Sequence, residues 1–239
     1  MDLKEFEKIF KEKCKKNNIE LQTYEIEKFY KYMLGIIEWN EKINVTAITD
    51  EKEFLEKHFI DSLTINKYLK NGKKLIDIGT GAGFPGIPLK IANSNLEVTL
   101  IDSVNKKLNV IKEVSKEIKL DKLEIIHTRA EDLANKSEYR EQFDFATTRA
   151  VSNLSTIAEY MLPFVKIGGK AICMKGPNYE EELEDAEKAI RILGGKLEKV
   201  ENLRLNDENE RNIVIISKIN KTPSKYPRGQ GKPLKEPIK

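Results

Sequence analysis

The chain has 239 residues, 39% hydrophobic and 34% charged, with a formal net charge of +3. That length buries a full core in one or two domains, and no apolar run approaches the ~18 residues of a membrane span. Cys14 and Cys173 match no disulfide or metal spacing, and "MDLKEFEKIFKEKC" lacks the apolar heart of a signal peptide, so the expected compartment is a reducing cytoplasm.

Residues 1–70 read as a helical extension. Ile26, Phe29, Tyr30, Met33, Leu34 and Ile37 recur at three- and four-residue steps, which predicts one wide apolar stripe. Asp50 followed by Glu53 is a capping-box pattern opening a further helix. His58, Asp61 and Ser62 share a face of that helix at i, i+3 and i+4. They either line a ligand site or pack the N-terminal helices on the sheet.

From residue 71 to 218 strands alternate with helices. Leu75 to Ile78 is a short apolar strand that breaks into Gly79-Thr80-Gly81-Ala82-Gly83, and Pro85 suits the first turn of a helix. "EVTLID", "LEIIHT", "FDFATTRA" and "KAICMK" are four more strands, with Ser152 as the expected cap of the helix before the last of them. An acidic helix from about Asn178 to Leu193 leads to two final strands, Lys196 to Leu205 and Arg211 to Lys218. The class is therefore α/β: a Rossmann-like, mostly parallel sheet with one antiparallel edge strand and an N-terminal helical extension.

Residues 219–239 hold six basic residues, one acid and four prolines, a charge of +5 that leaves −2 for the rest. Such a segment is not expected to form a helix or a central strand. It is a solubilising tail, an arm that meets RNA phosphates through Lys225 and Arg228, or a strap pinned across the body by Tyr226 and the prolines.

The glycine loop alone satisfies G-x-G-x-x-G, and Asp102 stands where a ribose-binding acid belongs, so a nicotinamide-dinucleotide oxidoreductase is a competitor. Asp77 argues against it. A carboxylate at the end of the first strand suits a ligand bearing an ammonium group and repels a pyrophosphate. The frame Asp77-x-Gly79-x-Gly81-x-Gly83 resembles motif I of the S-adenosylmethionine-dependent methyltransferases.

Beyond that frame, "WNEKINVTAIT", "HFIDSL", "DIGTGAGFPGIPLKI", "RAED", "TTRAV", "LPFVKIGG" and "TPSKYPRGQGKP" resemble, in the same order, the bacterial 16S ribosomal RNA small-subunit methyltransferase G family, also called glucose-inhibited division protein B. The resemblance covers nearly the whole chain. It implies methyl transfer from S-adenosyl-L-methionine to N7 of one guanine of 16S rRNA. It implies cofactor contacts at Gly79, Phe84, Ala130, Glu131 and Arg149; the methyltransferase frame adds Gly81 and Asp102. The expected partner is 16S rRNA or a small-subunit assembly intermediate, met by a monomer without a metal.

Guanine N7 carries an exposed lone pair, so no catalytic base is nominated. Neither a cysteine nucleophile nor an Asn/Asp-Pro-Pro-Tyr segment is in place after the fourth strand, where Thr147-Thr148-Arg149-Ala150 stands instead. His58, Asp61 and Lys175 join Lys225 and Arg228 as candidate substrate contacts. The alternatives are a methyltransferase of a small molecule or protein, the oxidoreductase, and an RNA-binding protein with a relict fold.

Overall fold

The computed structural model describes residues 1–70, 72–149, 152–177, 179–206 and 209–239. Its N-terminal part is helical: α1 (Leu3–Lys16), α2 (Thr23–Asn40), then α3 (Glu51–Phe54) and α4 (Asp61–Leu63) joined through a π-helical stretch, Leu55–Ile60. Asp2 caps α1, and the Asp50 side chain accepts from the Glu53 N–H, as its spacing predicts. The reciprocal half of that box is missing because the Glu53 carboxylate goes to Lys57. The stripe on α2 is rotated from the expected one. Tyr32 and Ile36 are buried while Leu34 is exposed, because α2 is packed on two sides, by α1 and by the sheet domain.

Strands β1 (Lys74–Ile78), β2 (Glu97–Asp102), β3 (Leu123–His127), β4 (Phe143–Arg149) and β5 (Val165–Lys175) are parallel. They alternate with α5 (Gly86–Ala92), α6 (Asn105–Glu117), α7 (Ala130–Leu133) and α8 (Leu154–Met161). Then α9 (Glu180–Ile192) leads into the antiparallel pair β6 (Gly195–Asn206) and β7 (Asn209–Lys218). The order is β3-β2-β1-β4-β5-β7-β6, so the strand that runs against the rest lies beside the edge strand β6. Asn153, rather than Ser152, caps α8 by accepting from the Thr156 N–H. Ala150, Val151 and Asn178, expected near the ends of these elements, lie outside the described residues.

Alternation along the strands divides the core in two. Leu75, Leu100, Ile172, Ile213 and Ile215 face the N-terminal helices and α5–α6. Ile76, Ile101, Cys173, Val214 and Ile216 face α7–α9. The chain reverses its direction of winding between β1 and β4, and ligands of such sheets bind beyond the C-terminal strand ends at that point.

The C-terminal segment corrects one expectation. Its residues lie across α8, and Lys232–Lys235 form a helical turn, α10, with Pro233 at its start where the missing N–H costs nothing. Arg140 donates to the carbonyls of Thr222, Pro223 and Tyr226, the Thr156 hydroxyl donates to Pro233 O, and the Ser155 hydroxyl donates to Ile238 O. The segment is thus pinned as a strap, and Arg140, Thr156 and Ser155 supply the bonds that hold it.

Candidate cofactor and substrate site

Where β1 ends, Gly79, Gly81 and Gly83 all take positive φ (69°, 58° and 85°), which lets the chain turn sharply out of the sheet. The N–H groups of Gly79 and Thr80 donate to Ile101 O of β2, and Phe84 N–H closes the turn on Thr80 O. A side chain at Gly83 would strike the Tyr32 hydroxyl and Ile87, whereas Gly81 opens onto free space. Gly83 is thus needed for packing, and Gly81 for its positive φ.

Asp77 and Asp102 hold this loop from below and from the side. Asp77 Oδ2 accepts from the Thr80 hydroxyl at 2.7 Å and from Gly86 N–H at 2.9 Å. Its Oδ1 is buried without a hydrogen-bond partner. Burial pushes Asp77 up to about 6, against the pull of those two hydrogen bonds. Asp102 Oδ2 accepts from Gly81 N–H and Oδ1 from Val104 N–H, both at 2.8 Å. Each carboxylate oxygen accepts more than one bond, so Asp102 is fixed in aim and still able to receive hydroxyl groups.

Beyond the ends of β1, β2 and β3 lies an open cavity of about 310 Å³. Gly79, Asp102, Ser103, Ala130 and Glu131 line it, together with Tyr160, Gly231 and Leu234. Four of the expected cofactor residues meet there, and Gly81 joins them through its bond to Asp102. The acceptor Asp102 suits a ligand with a diol, whereas Asp77, whose charge the sequence reading paired with an ammonium group, is fully buried beneath the loop and does not line the cavity.

Phe84 and Arg149 occupy the other flank of the loop, in a closed junction. His58 stacks on Phe84 with ring centroids 4.2 Å apart and planes 8° from parallel. The Arg149 guanidinium sits over the same phenyl ring at 5.3 Å. It donates to Lys57 O at 2.8 Å, Asp61 Oδ2 at 3.0 Å and His58 Nδ1 at 3.1 Å. An arginine cannot accept, so His58 Nδ1 is the acceptor and Nε2–H donates to the Thr46 hydroxyl at 2.8 Å. Burial, and then the charge of Arg149, lower His58 to about 3, so its ring is neutral. Arg211 at the start of β7 completes the junction by donating to Asp61 Oδ1 at 2.9 Å.

Residues 25–214 match the family model described as rRNA small subunit methyltransferase G. The chain belongs to that family. Its relatives include the ribosomal RNA small subunit methyltransferase G of Alkaliphilus oremlandii, 50% identical over 244 residues and covering 100% of both chains. The protein of that name from Clostridium tetani is 50% identical over 214 residues, 88% of this chain and 90% of the relative. Among solved structures, the ribosomal protein L11 methylase of Lactobacillus delbrueckii subsp. bulgaricus superposes with a TM-score of 0.53 at 13% identity, covering 69% of this chain and 80% of that one. M. capricolum TrmK, in complex with S-adenosyl-homocysteine, gives 0.53 at 15% identity over 73% of each chain. These distant likenesses establish the methyltransferase fold alone.

As a methyltransferase G, the chain departs from the sequence reading mainly in where its charges point. Arg228 turns inward: its guanidinium pairs with Glu159, a fully buried carboxylate on α8, at 2.7 Å. Lys175 is likewise engaged, donating to Ser152 O at 2.8 Å and pairing with Glu182 at 2.6 Å. Asp61 is buried between two arginines. His58 is buried against Phe84. Each of these four candidate substrate contacts is engaged within the protein. Lys225 stays exposed, with its ammonium 5.3 Å from the Tyr226 ring centre. The thiols of Cys14 and Cys173 are buried, and burial pushes both up to about 12, which removes them as nucleophiles.

Sequence reasoning missed Tyr160, Gly231 and Leu234 in the cavity and Arg211 in the junction. A signal existed for the first group: Glu159 stands among Leu154, Ile157, Ala158, Met161 and Leu162, and a lone acid on so apolar a helix demands a cation. Among the described residues, no group of three or more His, Cys, Asp or Glu is arranged to hold a metal ion. No described helix is long and apolar enough to cross a membrane.

Proposed function

We propose that the protein methylates N7 of a guanine in 16S rRNA, with S-adenosyl-L-methionine bound along the glycine loop. Family membership together with the cavity that Gly79, Asp102, Ala130 and Glu131 line carries this reading. In it, Asp102 receives the ribose hydroxyls, the Ala130–Glu131 turn flanks the adenine, and the loop at Gly81 gives the ligand room. The three bonds of Arg149 use three of its five N–H groups, and the others, beside Phe84, are assigned to the ligand.

The bound sulfonium supplies an activated methyl group. What the chain contributes is placement: a rigid loop held by Asp77, Asp102 and Tyr32, whose hydroxyl donates to Ala82 O at 2.7 Å. Because N7 needs no proton removed, alignment of its lone pair for in-line displacement accounts for most of the acceleration. No side chain is assigned as a base, in keeping with two buried thiols and a neutral, fully engaged His58. We further propose a cytoplasmic monomer whose partner is 16S rRNA or an assembling small subunit, with Lys225 among the groups that meet phosphate.

The test has two arms. Calorimetry should show S-adenosylhomocysteine, and not NAD, binding to the purified protein. Mass mapping of rRNA from cells lacking the protein should show one 16S guanine without its N7 methyl group. NAD binding in place of S-adenosylhomocysteine, or an unchanged methylation map, would overturn the proposal.

A further inference from the structure

The cavity beyond β1–β3 has one side that none of the βα units supplies. Gly231 and Leu234 form it, and both belong to the C-terminal strap. Anchors fix the strap before and after these residues. Upstream, the carbonyls of Thr222, Pro223 and Tyr226 accept from Arg140, and Arg228 grips Glu159. Downstream, the carbonyls of Pro233 and Ile238 accept from the Thr156 and Ser155 hydroxyls. Between the anchors, Gly231 N–H donates to Glu131 Oε1 at 3.2 Å, tying the strap to the turn after β3.

Leu234 is the odd member of this segment. It is held in a well-anchored turn, faces a cavity, and still shows 60% of its surface to solvent. An apolar side chain kept in place and left bare offers its area to a ligand with a flat apolar face. The opposite lining, Asp102 and the Ala130–Glu131 turn, supplies the hydrogen-bonding groups that a nucleoside needs.

We infer that the C-terminal strap is a wall of the nucleoside pocket, with Leu234 covering the purine ring of the S-adenosyl ligand and Gly231 holding the Glu131 carboxylate in place. This rests on the reading of the cavity as the cofactor site. It gives the segment a role in binding the small molecule, which its composition alone does not suggest.

The experiment is calorimetric titration of wild type and Leu234→Ser with S-adenosylhomocysteine and with 5′-methylthioadenosine, which lacks the amino-acid end. Leu234 is exposed, so the variant should melt within a degree or two of wild type. Both affinities should fall by the same factor, roughly five- to tenfold, the size expected when one apolar face is lost. Unchanged affinities in the variant would remove the wall, as would a loss confined to S-adenosylhomocysteine. Absence of binding to wild type would instead remove the reading of the cavity, and the wall with it.

Discussion

The two flanks of the glycine loop are built on opposite terms. On one side the cavity between Asp102, the Ala130–Glu131 turn and the strap is open, and its polar groups keep capacity in reserve. On the other, Phe84, His58, Arg149, Asp61 and Arg211 are stacked and cross-bonded, with the Asp61 side chain only 1% exposed. All these residues are chemically suggestive as a set. The difference shows that a functional residue type becomes a ligand contact only where space and unused bonding capacity accompany it. By that measure the junction's first task is to fix the loop against the N-terminal helices, and the cavity's is to receive a small molecule.

The sharpest way to break this distinction is Asp61→Ala. It leaves Arg149 and Arg211 facing each other without their carboxylate. Loss of one partner from a buried ion network costs about 3–5 kcal/mol, so the melting temperature should fall well below wild type. A variant that melts normally but binds S-adenosylhomocysteine poorly would reassign Asp61 to the ligand site.

The next effect concerns pH, where the two flanks pull in opposite senses. Asp77 is raised from 3.8 to about 6, so its contribution to stability is complete below pH 3.8 and lost as pH rises through 6. His58 is lowered from 6.5 to about 3, so its contribution is complete above pH 6.5 and lost as pH falls toward 3. Between pH 3.8 and 6 they oppose each other. The charges acting on Asp77 are Arg149 and Asp102, with the buried Tyr32 phenol also within its field, and the charge acting on His58 is again Arg149. Asp77→Asn should therefore make the unliganded protein gain stability more steeply with rising pH, by up to about 1.4 kcal/mol per pH unit within that window. Denaturation series at pH 4, 5 and 6 check the sign; a flatter profile than wild type would contradict it.

Asp102→Ala should act on affinity more than on fold. Loss of charge-assisted hydrogen bonds, worth roughly 1.5–3 kcal/mol, should weaken S-adenosylhomocysteine binding about 10- to 100-fold. Calorimetry on a variant of normal helicity measures it, and wild-type affinity would place the ribose elsewhere. The smallest effect is expected of Lys225→Ala. Cofactor affinity should be untouched, while the slope of log RNA affinity against log salt should become shallower by about one unit or slightly less. An unaltered slope would leave the strap without a phosphate contact at Lys225.

Much of this was legible in the sequence, for local reasons. The glycine loop, the strand "EVTLID" and the alternation of "RNIVIISK" announce themselves because backbone freedom and a two-residue period act over a few neighbours. That Asp102 and Ala130–Glu131 come together at one cavity was legible because strand ends in such sheets point one way; their role as cofactor contacts rests on the resemblance. The direction of Arg228 could not, since composition gives the sign of a charge and not the side of the chain it faces. Its partner Glu159 is 69 residues away. The same holds for Lys175 and for Arg211, whose pairing with Asp61 spans 150 residues. The face of α2 was blurred for another reason: a helix packed on two sides carries more than one stripe.

That long reach of Asp61 bears on the order in which the molecule assembles. One carboxylate joins the short helix α4 to the end of β4 and the start of β7, segments 88 and 150 residues further along the chain. Closing loops of that size costs entropy before any contact rewards it, so such contacts form late in folding. Arg149 can reach Asp61 once β4 is in place, but Arg211 joins only after β7 has been made and added to the sheet. Until then the Asp61 carboxylate lacks one of its two arginines, so the junction is complete only after the chain has been made beyond residue 211.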